Sequence, residues 1–469
     1  MKSEIIYNNV EIIDAGSEGK AVARVGELVL FVPFVVPGDV VDIKLTKKKR
    51  SYLEGKAIRF HKYSEKREKE FCNHFGTCGG CRWQNMKYCD QLYYKQKQVE
   101  DALRRIARIP DAKVLPILPS SETRYYRNKL EYTFSNHRWM TENDPPDLGP
   151  DALGFHIPLL FDKVLDIKEC FLQRDPSNAI RLESKKFAID NGYSFYDVRK
   201  WVGFMRGIII RVSNDGGLMT IFMFHDPDME KITSFLDHIL KKFPEISSMY
   251  YVVNPKKNDV ITDLPVNLYY GKPYITEKLL SFRTKKEIEF HIGPLSFYQT
   301  NSSQVPSLYG AVASLAGFNG SENVYDLYSG IGSISSFISD SVNRVIGIES
   351  IPAAVNDANE NAKRNKITNM KFFTGETEKL LSEEFIREQG KPDIIITDPP
   401  RSGMHEKTVK AMILAAPEKV VYVSCNPSTQ ARDLALLQEK YDFKVSQPVD
   451  MFPHTQHVEN VALLVRRAE

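Results

Sequence analysis

Apolar and polar positions alternate in three different ways along the chain. Over residues 1–62 the period is two, with short runs at 10–13, 21–25, 27–32, 40–45 and 54–58 separated by turn residues at Gly16, Gly26 and Pro37-Gly38. Five strands this short and this close predict a small barrel of the oligonucleotide-binding kind, a fold that leaves few sheet edges unpaired. A helical period follows over 91–106, with Leu92, Val99, Ala102, Leu103 and Ile106 on one stripe that stops before Pro110. Residues 120–290 are mixed: β-rich stretches at 129–134 and 207–212, a helix around 228–241, and an acidic, proline-containing exposed loop at 141–150.

From about residue 300 the pattern becomes regular. Helices are expected at 305–315, 334–341, 351–365, 376–389 and 406–416, and apolar strands at 323–327, 344–349, 370–373, 393–397 and 420–423. Strands that are apolar throughout and alternate with helices predict a doubly wound, mostly parallel sheet, whose ligands gather at the C-terminal ends of the strands. The fold class is therefore multidomain α/β: a barrel over 1–62, a mixed α+β central domain over 63–290, and a Rossmann-like domain over 291–469.

Composition changes this picture little, charge more. The 469 residues carry a net charge of only +3, yet residues 44–69 hold eleven Lys and Arg against Glu54, Glu65 and Glu68. A basic block on a near-neutral chain points to a polyanion, and it begins on the barrel's fourth strand, at Lys47-Lys48-Lys49-Arg50. The start, Met1-Lys2-Ser3-Glu4, lacks a signal-peptide core, and no apolar run is long enough to span a bilayer. A cytoplasmic protein with no membrane partner is expected, and in that reducing compartment the six cysteines read as ligands, nucleophiles or core residues rather than disulfides.

Three clusters carry chemistry. A strand ends in Asp326, and Ser329-Gly330-Ile331-Gly332-Ser333 opens a helix, a turn that lets a ligand approach the backbone closely. The next strand ends in Glu349, whose carboxylate can accept hydrogen bonds from both hydroxyls of a ribose. This set points to S-adenosylmethionine, with a nicotinamide or nucleotide enzyme as the rival. Second, Ser424-Cys425-Asn426-Pro427 puts a thiol just past a buried strand, beyond Asp398-Pro399-Pro400-Arg401. Free cysteines often serve as small core residues, but a strand end on the ligand face suits a nucleophile, with Arg401 as a nearby positive charge. Third, Cys72, Cys78 and Cys81 are spaced as metal or cluster ligands, with Cys89 or Cys170 available as a fourth; spacing alone does not separate zinc from an iron–sulfur cluster.

Taken in order, the motifs resemble the RNA 5-methyluridine methyltransferases. The barrel is similar to a TRAM domain. Residues Cys72 to Cys81 resemble the family's cluster-binding loop, and Tyr126-Arg127-Asn128-Lys129 a motif of its central domain. Phe297-Tyr298-Gln299-Thr300-Asn301, Asp326 to Gly330, Asp398 to Arg401, Ser424 to Pro427 and His457-Val458-Glu459 complete the series. The resemblance implies a [4Fe–4S] cluster on Cys72, Cys78, Cys81 and Cys170, with Cys89 spare. It implies S-adenosyl-L-methionine contacts at Gln299, Tyr328, Ser333, Glu349, Glu376 and Asp398, a nucleophile at Cys425, a general base at Glu459 and an aromatic at Phe297 near the target base. Ser333 and Glu376 depart from the family's usual Asn at those positions. The implied partner is RNA, in the first place large-subunit ribosomal RNA, bound by a monomer; transfer RNA, and a non-catalytic RNA-assembly factor, are the alternatives. Radical chemistry is disfavoured, because the C-x3-C-x2-C loop is absent.

Overall fold

The computed structural model describes residues 4–468 except 142, 143 and 146. The N-terminal sheet has six strands, Ile6–Glu11, Asp14–Ala15, Lys20–Val25, Leu28–Pro33, Val40–Lys48 and Tyr52–Lys62, in the spatial order first, fifth, sixth, fourth, third, second. Its barrel-like core is made by Ile12, Ala23, Leu30, Val32, Val41, Ile43 and Leu53. Gly55 is required for closure, since a Cβ there would stand 2.4 Å from Ile43 Cγ2. The strand expected at 10–13 is displaced to Ile6–Glu11. Asn9 takes a positive φ at a bulge between Tyr7 and Val10, and beyond it Ile12 turns inward while Ile13 is left exposed.

The central sheet has seven strands in the order Asn267–Gly271, Ser248–Val253, Leu218–Phe224, Met205–Val212, Lys129–Ser135, Ala152–Ile157, Leu160–Asp166. Helices Ser177–Asp190 and Met229–Lys242 cover one face, packing Ile180, Phe235 and Ile239 on Ile208, Ile210 and Phe222. The other face, through Ile209, Met219 and Ile221, joins the core of the C-terminal domain. Burial on both sides explains why these strands lack alternation and why their function is hard to read from sequence. The expected loop at 141–150 and the start of the chain fall partly on residues outside those described.

The C-terminal sheet runs Met370–Thr374, Arg344–Glu349, Asn323–Leu327, Ile394–Thr397, Lys419–Ser424, Glu459–Arg466, Tyr441–Val449. The first five are parallel; Glu459–Arg466 is antiparallel to both its neighbours. Helix Pro427–Leu437 and the last two strands lie beyond the point where the sequence pattern closes. Tyr441–Val449 mixes polar and apolar residues on an edge, and Glu459–Arg466 opens with two polar residues that are buried for reasons its own pattern does not contain. The helix expected over 376–389 is two, Thr377–Leu380 and Glu383–Gln389: Leu381 is buried, and Ser382 turns extended so that its side chain accepts from Phe385 N and caps the second helix. The helix expected over 334–341 ends earlier, as Ser333–Ile338 followed by a tight turn at Ser339–Ser341.

The cores do not respect the sequence segments. Helix Tyr88–Arg105 lays Val99, Ala102 and Leu103 against Leu434 and Leu437 of the C-terminal domain, and hairpin Ile275–Leu280/Glu287–Ile292 puts Leu279, Ile288 and Phe290 in the same core as Val324. Among the described residues no helix is long and apolar enough to cross a membrane.

Candidate active site

Four parallel strands end side by side, and their ends bring together residues far apart in sequence. Asp326 is buried next to the Gly-rich turn; its Oδ2 accepts from Ser335 Oγ at 2.5 Å, while Oδ1 has no partner. Burial lifts its carboxyl to about 7. Tyr328 follows with φ 63°, Gly330 with φ 54° and Gly332 with φ 74°. A Cβ at Gly330 would meet nothing within 4 Å, so the turn borders open space, whereas at Gly332 it would strike the Phe372 ring at 2.7 Å. Glu349 accepts from Gly330 N at 3.1 Å and from Ile351 N at 2.9 Å, which orients its carboxylate beside that opening. An open cradle, an unpaired buried carboxylate oxygen and an acid at the next strand end fit a nucleoside-bearing ligand.

The other expected contacts are placed unevenly. Gln299 Nε2 reaches Asp398 Oδ2 at 3.4 Å, and Asn128 Nδ2 holds the Gln299 carbonyl at 2.9 Å. Ser333 Oγ is 2.7 Å from the Tyr309 hydroxyl. Glu376 points outward and pairs with Lys379 at 2.5 Å, so it is not gathered with the rest. Phe297 is 66% exposed. Lys47, Lys48, Lys49 and Arg50 are exposed on the barrel, with Lys47 paired to Glu54 at 3.4 Å.

Cys425 follows strand Lys419–Ser424. That strand pairs with the last one in a register whose final pair is Ser424 opposite Asn460, so Cys425 and Glu459 flank the end of the ladder. Burial, then the charge of Glu459, pushes the Cys425 thiol up to about 12, with Arg401 pulling the other way. Glu459 is buried, and burial followed by Asp398 holds its carboxyl well above the usual carboxylate range, again against Arg401. Asp398 is raised likewise by burial and by Asp326. Arg401 is held in place: its carbonyl accepts from Asn426 Nδ2 and Thr429 Oγ1, and its Nη2 lies 2.7 Å from His457 Nδ1. One guanidinium thus works against burial at both the thiol and the carboxyl.

Residues 450–457 lead into Glu459 and are fixed by groups that sequence reasoning missed. Lys95, with no exposed side-chain surface, donates to Asp450 Oδ1 at 2.6 Å and to the Phe452 carbonyl at 2.9 Å. Tyr88 Oη donates to Asp450 Oδ2 at 2.9 Å. The Gln91 amide bonds His454 from both ends, its Oε1 accepting from His454 N at 2.8 Å. The signal was present: Gln91 and Lys95 stand on the same stripe as Val99 and Ala102, and polar residues on a buried stripe require partners.

The same turn touches the cysteine loop. The His454 carbonyl accepts from Arg82 N and Trp83 N, and the Tyr126 hydroxyl, packed with Cys81, donates to the Pro453 carbonyl. Cys72, Cys78, Cys81 and Cys170 line one cavity of about 160 Å³, where Gln84 Oε1 and Arg127 Nε have no partner. Burial pushes the Cys78 thiol to about 11 and the Cys81 thiol to about 12. Cys89 is exposed elsewhere. Among the described residues no three His, Cys, Asp or Glu side chains are grouped so as to hold a single metal ion.

Residues 266–467 match the family model described as tRNA (Uracil-5-)-methyltransferase, and residues 7–58 match the TRAM domain. An uncharacterized RNA methyltransferase of Bacteroides thetaiotaomicron is 50% identical over 458 residues, covering 96% of this chain and 100% of that one. Another, from Halalkalibacterium halodurans, is 35% identical, covering 99% and 97%. The solved Pyrococcus abyssi tRNA (uracil-54, C5)-methyltransferase in complex with S-adenosyl-L-homocysteine superposes with a TM-score of 0.75 at 26% identity, covering 97% of this chain and all of that one. The chain belongs to the S-adenosylmethionine-dependent RNA uracil-C5 methyltransferases that carry a TRAM domain.

Proposed function

We propose that this enzyme methylates C5 of a uridine in large-subunit ribosomal RNA through a covalent adduct between Cys425 and C6 of the uracil. The observation that carries the reading is that the ladder ending at Ser424 and Asn460 leaves the Cys425 thiol within the field of both Glu459 and Arg401 at the ligand-binding edge of the sheet. C5 of uracil is a weak nucleophile. Once the Cys425 thiol has lost its proton, a change that Arg401 favours, the sulfur adds to C6 and the ring becomes an enolate whose C5 can attack. S-adenosylmethionine supplies the methyl group. Glu459, as carboxylate, then takes the C5 proton, and the Sγ–C6 bond breaks to release the 5-methyluridine. The target base has to leave its stack to reach both groups, and the exposed ring of Phe297 is available to receive it. Gln299, Tyr328, Ser333, Glu349 and Asp398 contact the methyl donor; the outward-facing Glu376 is the weakest member of that set.

Cys72, Cys78, Cys81 and Cys170 are the residues that would hold a [4Fe–4S] cluster. Four thiols around one cavity, converging from two separate segments, supply the donor set that such a cluster needs. Bound there, the cluster would cross-link the loop that bears Arg82 to the segment around Cys170. Units 1–62, 63–290 and 291–469 act together as a cytoplasmic monomer, with Lys47, Lys48, Lys49 and Arg50 available to the RNA backbone.

The likeness to the Pyrococcus abyssi enzyme favours transfer RNA as the second reading. Mapping 5-methyluridine in total RNA from a strain lacking the gene separates them. Loss from a large-subunit ribosomal RNA site is expected; loss from transfer RNA alone would move the substrate, and no loss anywhere would remove the catalytic reading in favour of an RNA-assembly factor.

A further inference from the structure

The second half of the basic block folds into an arrangement that its charge alone does not describe. Phe60, near the end of strand Tyr52–Lys62, and Tyr63, just past it, lie with ring centroids 5.0 Å apart and planes 13° from parallel. The Arg67 guanidinium stands 4.9 Å from the Phe60 ring and 5.5 Å from the Tyr63 ring. Arg67 is pinned in turn: its Nε and Nη2 donate to the fully buried Asp39 carboxylate at 2.8 and 2.7 Å. Tyr63 therefore rests on a fixed floor, yet it remains 65% exposed, and among the described residues Phe60 is the one ring it stacks on.

A ring placed to seal the barrel would be buried, and the seal here is made by its neighbour. Ser64 is buried, its Oγ donating to the Pro37 carbonyl and its N to Asp39. Along the segment on either side of Tyr63, residues 59–69 carry five Lys and Arg against Glu65 and Glu68, and of these Lys62 and Lys69 are exposed. A flat aromatic face next to positive charge matches an unpaired nucleobase and its phosphates, and bases inside a duplex cannot present that face.

We propose that Tyr63, floored by Phe60 and Arg67, is a stacking site for an unpaired base of the RNA outside the target uridine, with Lys62 and Lys69 taking the adjoining phosphates. The inference rests on RNA being the substrate and adds where the strand beyond the reacting base is held. Stacking tolerates any base, so this interaction supplies affinity for single strands rather than sequence choice.

The test titrates full-length protein with a short labelled oligouridylate and with a blunt RNA duplex of equal length, following fluorescence anisotropy. Tyr63→Ala is expected to weaken oligouridylate binding by about 5- to 150-fold while leaving the duplex nearly unaffected, and Tyr63→Phe to stay close to wild type. Lys62→Gln with Lys69→Gln should flatten the dependence of log affinity on log salt by about 0.7 for each phosphate left without its lysine. Unchanged oligouridylate affinity in Tyr63→Ala, or an equal loss for oligouridylate and duplex, would overturn the proposal. Failure of the methylation reading shows separately, as absence of 5-methyluridine from reactions of the wild-type enzyme.

Discussion

Cys425 and Glu459 occupy surroundings that oppose the charged form of each, although the proposed chemistry uses both as anions. Arg401 is the nearby charge that offsets this for the two together. Because Glu459 is raised well above the ordinary carboxylate range, its proton-accepting form grows as pH rises, by about tenfold per unit until the carboxyl titrates. Turnover of RNA is therefore expected to climb through the neutral range, with the elevated thiol of Cys425 acting in the same direction. Asp398 raises Glu459 and is itself raised by burial and by Asp326, so the observed midpoint belongs to the linked carboxyls rather than to Glu459 alone. A flat rate across that range would contradict this. Glu459→Gln keeps the shape but cannot accept the C5 proton: addition and methyl transfer should proceed and elimination stall, leaving a methylated protein–RNA adduct that survives a denaturing gel. Cys425→Ala in the same chain should abolish the adduct. If Glu459→Gln turns over freely, His454 or His457 becomes the candidate base.

Helix Tyr88–Arg105 shows what one element does for another. Its buried Lys95 sets the turn ahead of Glu459, and removing one partner of a buried ion pair strands the other. Lys95→Met is expected to cost about 3–5 kcal/mol in denaturant unfolding, and Lys95→Met with Asp450→Asn less than the two single changes summed. Additive losses would show the pair to be uncoupled. The helix itself was legible within a few residues, because its stripe of Val99, Ala102 and Leu103 follows the helical period. Its role was not, because periodicity names a buried face without naming what lies on it. The parallel strands were legible as continuous apolar runs between helices, while Tyr441–Val449 and Glu459–Arg466 were not: their polar residues are satisfied by partners from distant elements, such as Asn460 Nδ2 donating to Gln430 Oε1 at 2.8 Å.

At the scale of the molecule, the cysteine loop, the barrel and the methyltransferase domain meet around residues 450–457. Arg82 bonds the His454 backbone, and its guanidinium lies 6.0 Å from the Phe34 ring of the barrel. Anaerobically purified protein is expected to be brown and to hold about four irons per chain; stoichiometric zinc without iron would favour the rival metal. The ordered motifs made the chemistry readable from sequence because each marks a strand end or a turn. The meeting of the three units was not readable, since no local pattern records which distant surface a loop will touch.

Lys95 and Asp450 are 355 residues apart in the chain, Gln91 and His454 363. Bringing such remote partners together costs more chain entropy than any local pairing, and contacts of this range tend to form late. A chain still leaving the ribosome will have made all five parallel strands, with their glycine turn and their thiol, before it has made the turn that Lys95 awaits. The methyl-donor cradle can thus exist for a time without its carboxyl, and the enzyme becomes competent only when its two remote stretches have found each other.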